Sequence, residues 1–522
     1  MAITSVSFLL FAALVLLGNY LLPQKARWVW LLIASMFFYL MAGWEFMIFL
    51  LLTVATTYLA GFLMDKNLSR QDAYLAENKQ TLSREEKKAI KAKTKSRNRI
   101  LLIAALVINF GVLAIFKILR VEPFKGLVAN TALSFFVRIG LPLGISFYMF
   151  QSMGYLVDIF RTTDKAEKNP FKLLLFSAYF PQLIQGPISK HSELAPQLTA
   201  GKKFDGKEFS FGLQRMLWGF FKKLVIADRI AVAIAALKAP EFTGVGFFLL
   251  MLFYAVQIYG DFTGGIDMVI GLSQALGIKL TENFVRPFFS KNIAEYWRRW
   301  HISLGEWMKS YIFYPISVSQ PMLKLSKSAR EKWGNFGKRL PVYVASIATW
   351  LVTGIWHGIT PNFILWGMMN CFVIVVSEEL MPLYDKFHNR FGLKEKKWYG
   401  GFEIARMFLL MNLIRIVDLF PNVGEYFRRV GSLLTTFNYH ILWDGTMLRL
   451  GLNIADYAVL GLGIVLMFAV SLFQEKKGSV REYFWNKPVL RYALVLILVL
   501  VVLLMGKYGI GYDASGFIYD EF

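Results

Sequence analysis

Long apolar runs recur along the whole chain of 522 residues, and few folds can accommodate them. Several of these runs approach the roughly 20 residues that an α-helix needs to cross a bilayer, whereas others are shorter or interrupted. No Lys or Arg precedes the first run, residues 6–22, so it lacks the basic start of a cleaved signal peptide and is predicted to be a retained helix. The pattern predicts an all-α, polytopic integral membrane protein with about 10–12 transmembrane helices and additional re-entrant segments.

The composition also points to a bilayer as the solvent. Hydrophobic residues make up 56% of the chain and charged residues only 18%, against roughly 25% charged residues in soluble domains. The net charge of +23 would suggest nucleic acid in a soluble protein. Here the excess of Lys and Arg lies in loops between apolar runs, so we expect a lipid bilayer and no nucleic acid as partner. The single cysteine, Cys371, excludes an intrachain disulfide and a cysteine metal cluster.

The distribution of Lys and Arg predicts the orientation in the membrane, because basic loops stay in the cytoplasm. The loop at 65–99 holds 11 basic and five acidic residues and is predicted to be cytoplasmic. Counting crossings back from this loop places the N-terminus outside, and the acidic tail after Lys507 is predicted to be external as well. Within the loop, Ser83 and Glu86 have the spacing of a capping box and predict the start of a helix.

Two apolar segments contain helix breakers. Residues 141–144 start one helix with a proline and a glycine, and residues 179–187 end another with two prolines, a glycine and two glutamines. Broken backbone at membrane depth is tolerated only where protein or water covers its freed polar groups. These segments therefore either border a cavity or form turns at the membrane interface.

Histidine is scarce, and two of the five histidines have unusual settings. His357 lies inside the apolar run 342–376, where an ionisable residue is a functional hypothesis by default. A neutral imidazole can accept a proton and return it near pH 7; the alternative is a packing histidine bonded to a carbonyl. Gly354 and Gly358 flank His357 and would leave room for the close approach of a ligand.

The second unusual histidine, His301, follows a tryptophan- and arginine-rich segment that includes Trp297, Arg298 and Arg299. This composition fits an interfacial belt whose arginines reach lipid phosphates, and it equally fits part of a buried site shared with His357. No two histidines stand at i, i+3 or i, i+4, so a helical zinc pair is absent and no metal is expected.

Two aspartates, Asp261 and Asp267, flank a Thr-Gly-Gly break directly after an apolar helix. Because they are six residues apart, they do not share one helical face. A structural role, either pairing with arginine or capping the broken helix, is favoured for both. The alternative is a direct part in proton transfer.

Many of these residues belong to short motifs that follow one another along the chain: GISFY (144–148), DIFR (158–161), FPQLIQGP (180–187), DFTGGID (261–267), ENF (282–284), WRRWHISL (297–304) and WHG (356–358). This ordered set resembles the membrane-bound O-acyltransferase (MBOAT) family. The bacterial branch, which contains the alginate O-acetyltransferase membrane subunit and the D-alanyl-teichoic-acid transferase, is the closer match. The resemblance covers residues 142–370 in detail and the whole chain in length and hydropathy.

The resemblance implies a fold and a division of the chain. Members form a ring of tilted helices around a thinned centre that bears a cavity. Residues 1–125 would then be N-terminal membrane helices with the basic loop, 126–380 the MBOAT-like catalytic core, and 381–522 C-terminal membrane helices with an external tail. The implied location is the bacterial plasma membrane.

The resemblance also implies an activity, the passage of an acyl group from a cytoplasmic thioester donor to an acceptor hydroxyl. The family's signature histidine falls on His357 and its other recurrent histidine on His301. His357 is predicted to act as general base on the acceptor hydroxyl or to orient it, and His301 to polarise the thioester carbonyl or hold the acceptor. The predicted substrate-binding residues are Trp297, Arg298, Arg299, Asp261, Asn283 and Trp356.

No tightly bound cofactor is expected, because the acyl donor is a co-substrate. Acetyl-CoA is the first expectation, with an acyl carrier protein thioester as the alternative. The expected partners are a polysaccharide acceptor in the cell envelope and an extracytoplasmic acyltransferase or esterase-like protein. D-alanyl transfer to teichoic acid is the alternative reaction, and a polysaccharide or lipid transporter or a passive scaffold are the alternatives of other classes.

Overall fold

The computed structural model describes residues 2–509 and Phe517, and every regular element in these ranges is helical. The described residues contain one isolated antiparallel β-bridge, between Phe284 and Trp300, and it is not part of a strand. The all-α prediction is therefore confirmed. Most of the predicted external tail lies outside the described residues, and the orientation of the termini stays a prediction.

One compact unit comprises residues 2–212 together with Leu272–Thr281. A short 3₁₀ turn, Gln24–Ala26, lies between its first two helices. The helices of this unit are α1 (Val6–Leu21), α2 (Arg27–Leu40), α3 (Phe46–Glu77), α4 (Arg84–Leu119), α5 (Phe124–Val128), α6 (Ser134–Ile139), α7 (Ile145–Phe160), α8 (Pro170–Ala178), α9 (Phe180–Gln185) and α10 (His191–Ala200).

A second compact unit comprises Leu213–Gly271 together with residues 282–509 and Phe517, so its boundaries fall inside α11 and α13 as defined below. Its helices are α11 (Gly206–Phe220), α12 (Asp228–Leu237), α13 (Val245–Ala275), α14 (Ile293–Arg299), α15 (Ile302–Met308), α16 (Tyr314–Ser317), α17 (Gln320–His357), α18 (Pro361–Glu379), α19 (Met381–Phe391), α20 (Lys397–Arg415), α21 (Val423–Thr435), α22 (Thr446–Arg449), α23 (Ile454–Lys477), α24 (Val480–Tyr483) and α25 (Pro488–Met505). Short π-helical segments occur at Phe221–Ala227 and Lys309–Phe313, and 3₁₀ turns at Pro287–Phe289, Leu393–Glu395, Ile416–Leu419 and Tyr439–Leu442. These units are defined by packing alone, and the division of the chain at 125 and 380 stays a prediction.

Seven helices of the described chain are long and apolar enough to cross a bilayer: α3, α4, α13, α17, α18, α23 and α25. Helix α1 is apolar but has only 16 residues.

The apolar segments that contain helix breakers, 127–160 and 171–184, are divided into helices that are each too short to span alone. Proline and glycine at 142, 144 and 181 account for this division, because they end a helix or force a turn.

The basic segment 65–99 is largely helical, in line with the helix start predicted at Ser83. Helices α3 and α4 continue through it and leave only a short connection around Ser83. The predicted capping box is confirmed: the Ser83 amide donates to a Glu86 carboxylate oxygen at 2.8 Å, and the Glu86 amide donates to Ser83 Oγ at 3.2 Å. Lys, Arg and Ala are the commonest residues of this segment, and they favour the helix even in contact with water.

The break between α8 and α9 is covered by protein. The Phe180 amide donates to Ser35 Oγ at 3.2 Å, and the Gln182 side-chain amide donates to the Pro187 carbonyl at 2.8 Å and to Ser189 Oγ at 2.6 Å. These side chains are buried, so they supply the partners that a bilayer does not offer.

Helices α17 and α18 approach so closely that glycine is required at their contact. A Cβ atom on Gly354 would lie 2.6 Å from the Phe363 carbonyl oxygen, and one on Gly367 would lie 2.4 Å from the Trp350 carbonyl oxygen. A Cβ on Gly358 would lie 2.2 Å from the Phe363 ring. The room beside His357 that the sequence suggested for a ligand is therefore filled by α18, in the manner of small-residue contacts between membrane helices.

We expect Gly354→Ala to destabilise the protein, because the new methyl group forces the backbones of α17 and α18 apart. Overpacking of this kind typically destabilises by about 1–3 kcal/mol. The matched control is Gly461→Ala in α23, where nothing lies within 4 Å of the added atom. Thermal unfolding in detergent should show a lower Tm for Gly354→Ala alone; an equal Tm for both variants would contradict the close helix contact.

Candidate active site

His301 is held by the pairing of two chain segments. The Val285 amide donates to the Arg299 carbonyl at 2.9 Å, and the Ile302 amide donates to the Asn283 carbonyl at 3.0 Å. His301 lies between α14 and α15 and has a left-handed backbone with φ 47°, which residues other than glycine rarely adopt. The paired segment 283–285 therefore fixes the backbone conformation that sets the direction of the His301 side chain.

Asn283 fixes the tautomer of the His301 ring. The side-chain oxygen of Asn283 accepts from the Ser303 amide at 3.0 Å and from Ser303 Oγ at 2.9 Å, and it lies 3.3 Å from His301 Nδ1. A backbone N–H can only donate, so the Asn283 atom at this point is the oxygen and His301 Nδ1 must carry the proton. The lone pair of the neutral ring then resides on Nε2.

Burial keeps the imidazole of His301 neutral. Its side chain is inside the second compact unit, next to the rings of Phe262 and Phe284 at centroid distances of 4.9 and 6.4 Å. Burial, with the positive charge of Arg415 as the second cause, lowers the pKa of His301 from 6.5 to about 3. The Arg415 guanidinium stacks on Trp300 at 4.0 Å and donates to the Tyr296 hydroxyl at 3.2 Å.

The two histidines flank one tryptophan. His357, at the C-terminal end of α17, is 8% exposed, and its ring centroid lies 4.7 Å from that of Trp356. The ring of His301 lies 6.3 Å from the same indole. The structure thus brings together two side chains that are far apart in sequence, within one buried aromatic region.

Three further tryptophans form a cluster, and one of them contacts His357. Trp366 of α18 lies 4.7 Å from its ring, and Trp297 lies 5.8 Å from Trp366. Trp350 contacts both of these indoles, at 4.8 and 6.0 Å. The buried Nε1 atoms of Trp297 and Trp366 have no hydrogen-bond partner among residues 2–509 and 517. Buried indole N–H groups usually have a partner, so these two donors are exceptions.

The remaining predicted site residues lie in different settings. Trp297 belongs to the aromatic region, whereas Arg298 is exposed. Arg299 forms ion pairs with Glu295 at 2.7 Å and Glu475 at 3.1 Å. Asn283 contacts His301 itself, and Trp356 lies beside both histidines.

The two aspartates are paired with cations, as the favoured interpretation holds, with lysines as the main partners. The predicted helix break between them is wrong, because α13 runs without interruption through residues 261–267. Asp261 lies 2.5 Å from Lys223 Nζ, and Asp267 lies 2.7 Å from Lys222 Nζ and 2.8 Å from Arg215 Nε. The two consecutive lysines are buried in the π-helical segment Phe221–Ala227. Ion pairing inside the protein is the condition under which such charges are retained away from water.

Sequence reasoning missed Trp350, Trp366 and Arg415. The two tryptophans gave no usable signal, because an aromatic residue in an apolar helix is most often only packed. Arg415 did give a signal, because it is a cation within the apolar run 402–419, and a charged residue in such a run is by default a candidate functional residue.

Comparison with known proteins identifies the family of this chain. The profile of MBOAT, the membrane-bound O-acyltransferase family, matches residues 38–417, which include both histidines and the aromatic region. The chain is 35% identical over 282 residues to the Pseudomonas syringae pv. tomato protein named "Probable alginate O-acetylase AlgI", covering 53% of this chain and 51% of that protein. The alignment thus spans about half the length of the alginate O-acetylases that it matches.

Two other relatives have different named acceptors. The chain is 28% identical over 407 residues to the peptidoglycan O-acetyltransferase of Helicobacter pylori, covering 71% of this chain and 69% of that protein. It is 28% identical over 262 residues to the teichoic acid D-alanyltransferase of Bacillus subtilis, covering 49% and 61%.

The lowered pKa of His301 predicts a dependence of stability on pH. The unfolded chain binds a proton at His301 below about pH 6.5, whereas the folded chain does so only near pH 3. The neutral His301 ring therefore contributes its full share of the free energy of unfolding above pH 6.5, the pKa in the unfolded chain. This contribution decreases as the pH falls toward 3, the pKa in the folded chain. In detergent, the decrease in Tm from about pH 7 to about pH 4 should be smaller for His301→Gln than for the wild type. The control His440→Gln, on an exposed residue, should keep the wild-type pH dependence; an unchanged slope for His301→Gln would contradict the prediction.

Proposed function

This chain belongs to the membrane-bound O-acyltransferase family of enzymes, and from that membership we propose that it passes an acetyl group from a cytoplasmic thioester to an acceptor hydroxyl, across the membrane, for O-acylation of a cell-envelope polysaccharide. It is a multi-pass integral membrane protein. The observation that carries the proposal is the placement of two buried histidines around Trp356. Membership of an enzyme family favours this proposal over the transporter and the scaffold considered from the sequence.

In the proposed reaction, His357 is the general base. One of its ring nitrogens takes the proton of the acceptor hydroxyl while the hydroxyl oxygen attacks the carbonyl carbon of the thioester. The new C–O bond forms, the C–S bond breaks, and the thiolate leaves with the proton that His357 returns. Atoms and charge balance without a metal or a redox partner.

The tautomer of His301 favours one of its two predicted roles. Because Nδ1 carries the proton and faces Asn283, the Nε2 lone pair can accept a hydrogen bond but cannot donate one to a carbonyl. Because His357 takes the proton of the reacting hydroxyl, we assign His301 to holding the acceptor by accepting a hydrogen bond from a neighbouring hydroxyl, and Asn283 to positioning the ring. With a pKa of about 3, the ring stays uncharged at neutral pH.

The carbonyl oxygen then needs a different donor, and Trp366 is the best placed. Its indole N–H is buried, has no partner among the described residues, and belongs to a ring 4.7 Å from that of His357. A neutral N–H directed at the oxygen on which negative charge develops would stabilise the tetrahedral intermediate. The aromatic surroundings also exclude water, which would otherwise hydrolyse the thioester.

The donor and the acceptor are part of the proposal. Acetyl-CoA is the proposed donor, and exposed Arg298 suits its phosphates better than Arg299, whose guanidinium is already paired with Glu475. The acetyl group is preferred because the relatives with higher identity or longer alignments are named O-acetylases and an O-acetyltransferase. Transfer onward by an extracytoplasmic esterase-like partner completes the proposed route.

D-alanyl transfer from a carrier protein to teichoic acid is the second candidate, supported by the Bacillus subtilis relative. The two candidates differ in the acyl group that is lost from the envelope when the protein is deleted. Mass spectrometry of envelope glycans from a deletion strain should show loss of acetyl esters under the first proposal and loss of D-alanyl esters under the second.

We expect His357→Gln to lower the acyl content of the envelope polysaccharide and the transfer rate of the purified protein by roughly 10²–10⁴-fold, because the base is removed. The matched control is His388→Gln, whose ring lies 2.8 Å from the Tyr399 hydroxyl in another part of the second compact unit. Normal expression of His357→Gln together with wild-type polysaccharide acylation would remove the basis of the mechanism.

We expect Trp366→Phe to lower kcat by on the order of 10²-fold with little change in KM, because it removes one N–H donor and keeps most of the ring. The control is Trp350→Phe, which changes a neighbouring indole of the same aromatic region. An equal loss of kcat in both variants would show that ring packing, and not the Trp366 N–H, sets the rate.

A further inference from the structure

A cavity of about 550 Å³ lies in the second compact unit, and neither His301 nor His357 lines it. One wall is apolar and is formed by α23 and α25, through residues that include Leu466, Val470, Leu494 and Leu498. Both helices are long and apolar enough to cross a bilayer. Polar and charged side chains enter the lining mainly from α11, α13 and residues 282–286, which form the polar wall. The cavity is thus amphipathic, with an apolar side that runs along two candidate membrane spans.

Most charges on the polar wall are neutralised by one another. Arg215 pairs with Asp267 at 2.8 Å and with Glu282 at 2.6 Å, and Lys222 pairs with Asp267 at 2.7 Å. Arg286 pairs with Glu475 at 2.5 Å. These charged groups are paired within the protein, so none of them needs a charged ligand as a partner.

Arg491, in the first turns of α25, differs from these residues. Its guanidinium stacks on Trp485 at 4.2 Å and on Tyr492 at 4.7 Å, and one terminal nitrogen donates to the Trp485 carbonyl at 3.2 Å. Its Nε atom is buried and has no hydrogen-bond acceptor in the part of the chain that the structure describes. An arginine is always charged, and a buried donor of a charged group is unfavourable without an acceptor.

We propose that this cavity binds one anionic phospholipid of the surrounding bilayer. The phosphate is recognised by Arg491, whose rigid fork of N–H donors matches phosphate oxygens, and Arg481 also lines this end of the cavity. One acyl chain then lies along the apolar wall of α23 and α25. A phospholipid satisfies both halves of the site at once, because it carries an anion and an aliphatic chain in one molecule.

The position of Arg491 agrees with a lipid bound from the membrane. It lies where the apolar part of α25 begins, and this is the depth at which arginine side chains meet lipid phosphates. Residues 476–491, which include the connection between α23 and α25 and the adjoining helix ends, hold five Lys or Arg and one Glu, which favours an anionic lipid over a zwitterionic one.

The test is native mass spectrometry of the full chain in mild detergent, titrated with phosphatidylglycerol and, in a parallel arm, with phosphatidylcholine. Arg491→Gln removes the cation, and Leu498→Trp fills the apolar wall. The matched controls are Arg390→Gln, an exposed arginine on α19, and Leu503→Trp, an exposed residue of α25 outside the cavity lining. The Tm of each variant identifies those that fail to fold.

We expect one phosphatidylglycerol per chain, bound about tenfold or more weakly by Arg491→Gln and by Leu498→Trp, with both controls close to the wild type. Equal retention of the two lipids, or wild-type binding by both cavity variants, would overturn the proposal. Displacement of the lipid by acetyl-CoA would also overturn it, since the cavity would then be a donor site. The readout is lipid binding alone, so its result is independent of the proposed acyl transfer.

Discussion

A chain that lies in a bilayer must satisfy its buried polar groups from within itself, because lipid tails offer no hydrogen-bond partners. Several features of this protein follow from that constraint. Buried Gln182 and Ser35 bond the freed backbone where α8 and α9 separate. Arg429, fully buried, donates to the carbonyls of Lys238 and Ala239 just beyond the end of α12, at 2.6 and 3.1 Å. Breaks in helices persist here because a side chain elsewhere in the fold takes the place of water.

The same constraint shapes the candidate active site. Asn283 is fully buried, and its oxygen must accept the Ser303 amide because no solvent is present to do so. That bond leaves His301 Nδ1 facing an acceptor and so determines which ring nitrogen is basic. Burial then keeps the ring neutral, and a neutral ring is the form that can accept a proton or a hydrogen bond. The hydrogen bonds at the Asn283 oxygen therefore both hold the Ser303 backbone and determine the basic nitrogen of His301.

The sequence anticipated much of this through residue types and their order. An ionisable residue in an apolar run identified His357, and the ordered motifs placed His301 with it. The capping box at Ser83 was predictable because it depends on residues three positions apart. By contrast, Gly354 and Gly358 suggested open space, and the structure fills it with Phe363. Glycine shows only that something approaches closely; the identity of the neighbour depends on a contact that local sequence does not encode.

The sequence by itself indicated that a bilayer surrounds this protein, that its fold is helical, which family it belongs to, and that His301 and His357 are the candidate site histidines. Hydropathy, local spacing and motif order suffice for this, because they are properties of the chain. Only the tertiary structure decided that both histidines border Trp356, that Asn283 sets the tautomer of His301, and that consecutive lysines neutralise Asp261 and Asp267. These are contacts between residues distant in sequence. Their distances and directions arise from helix packing, which the amino-acid order specifies only through the complete fold.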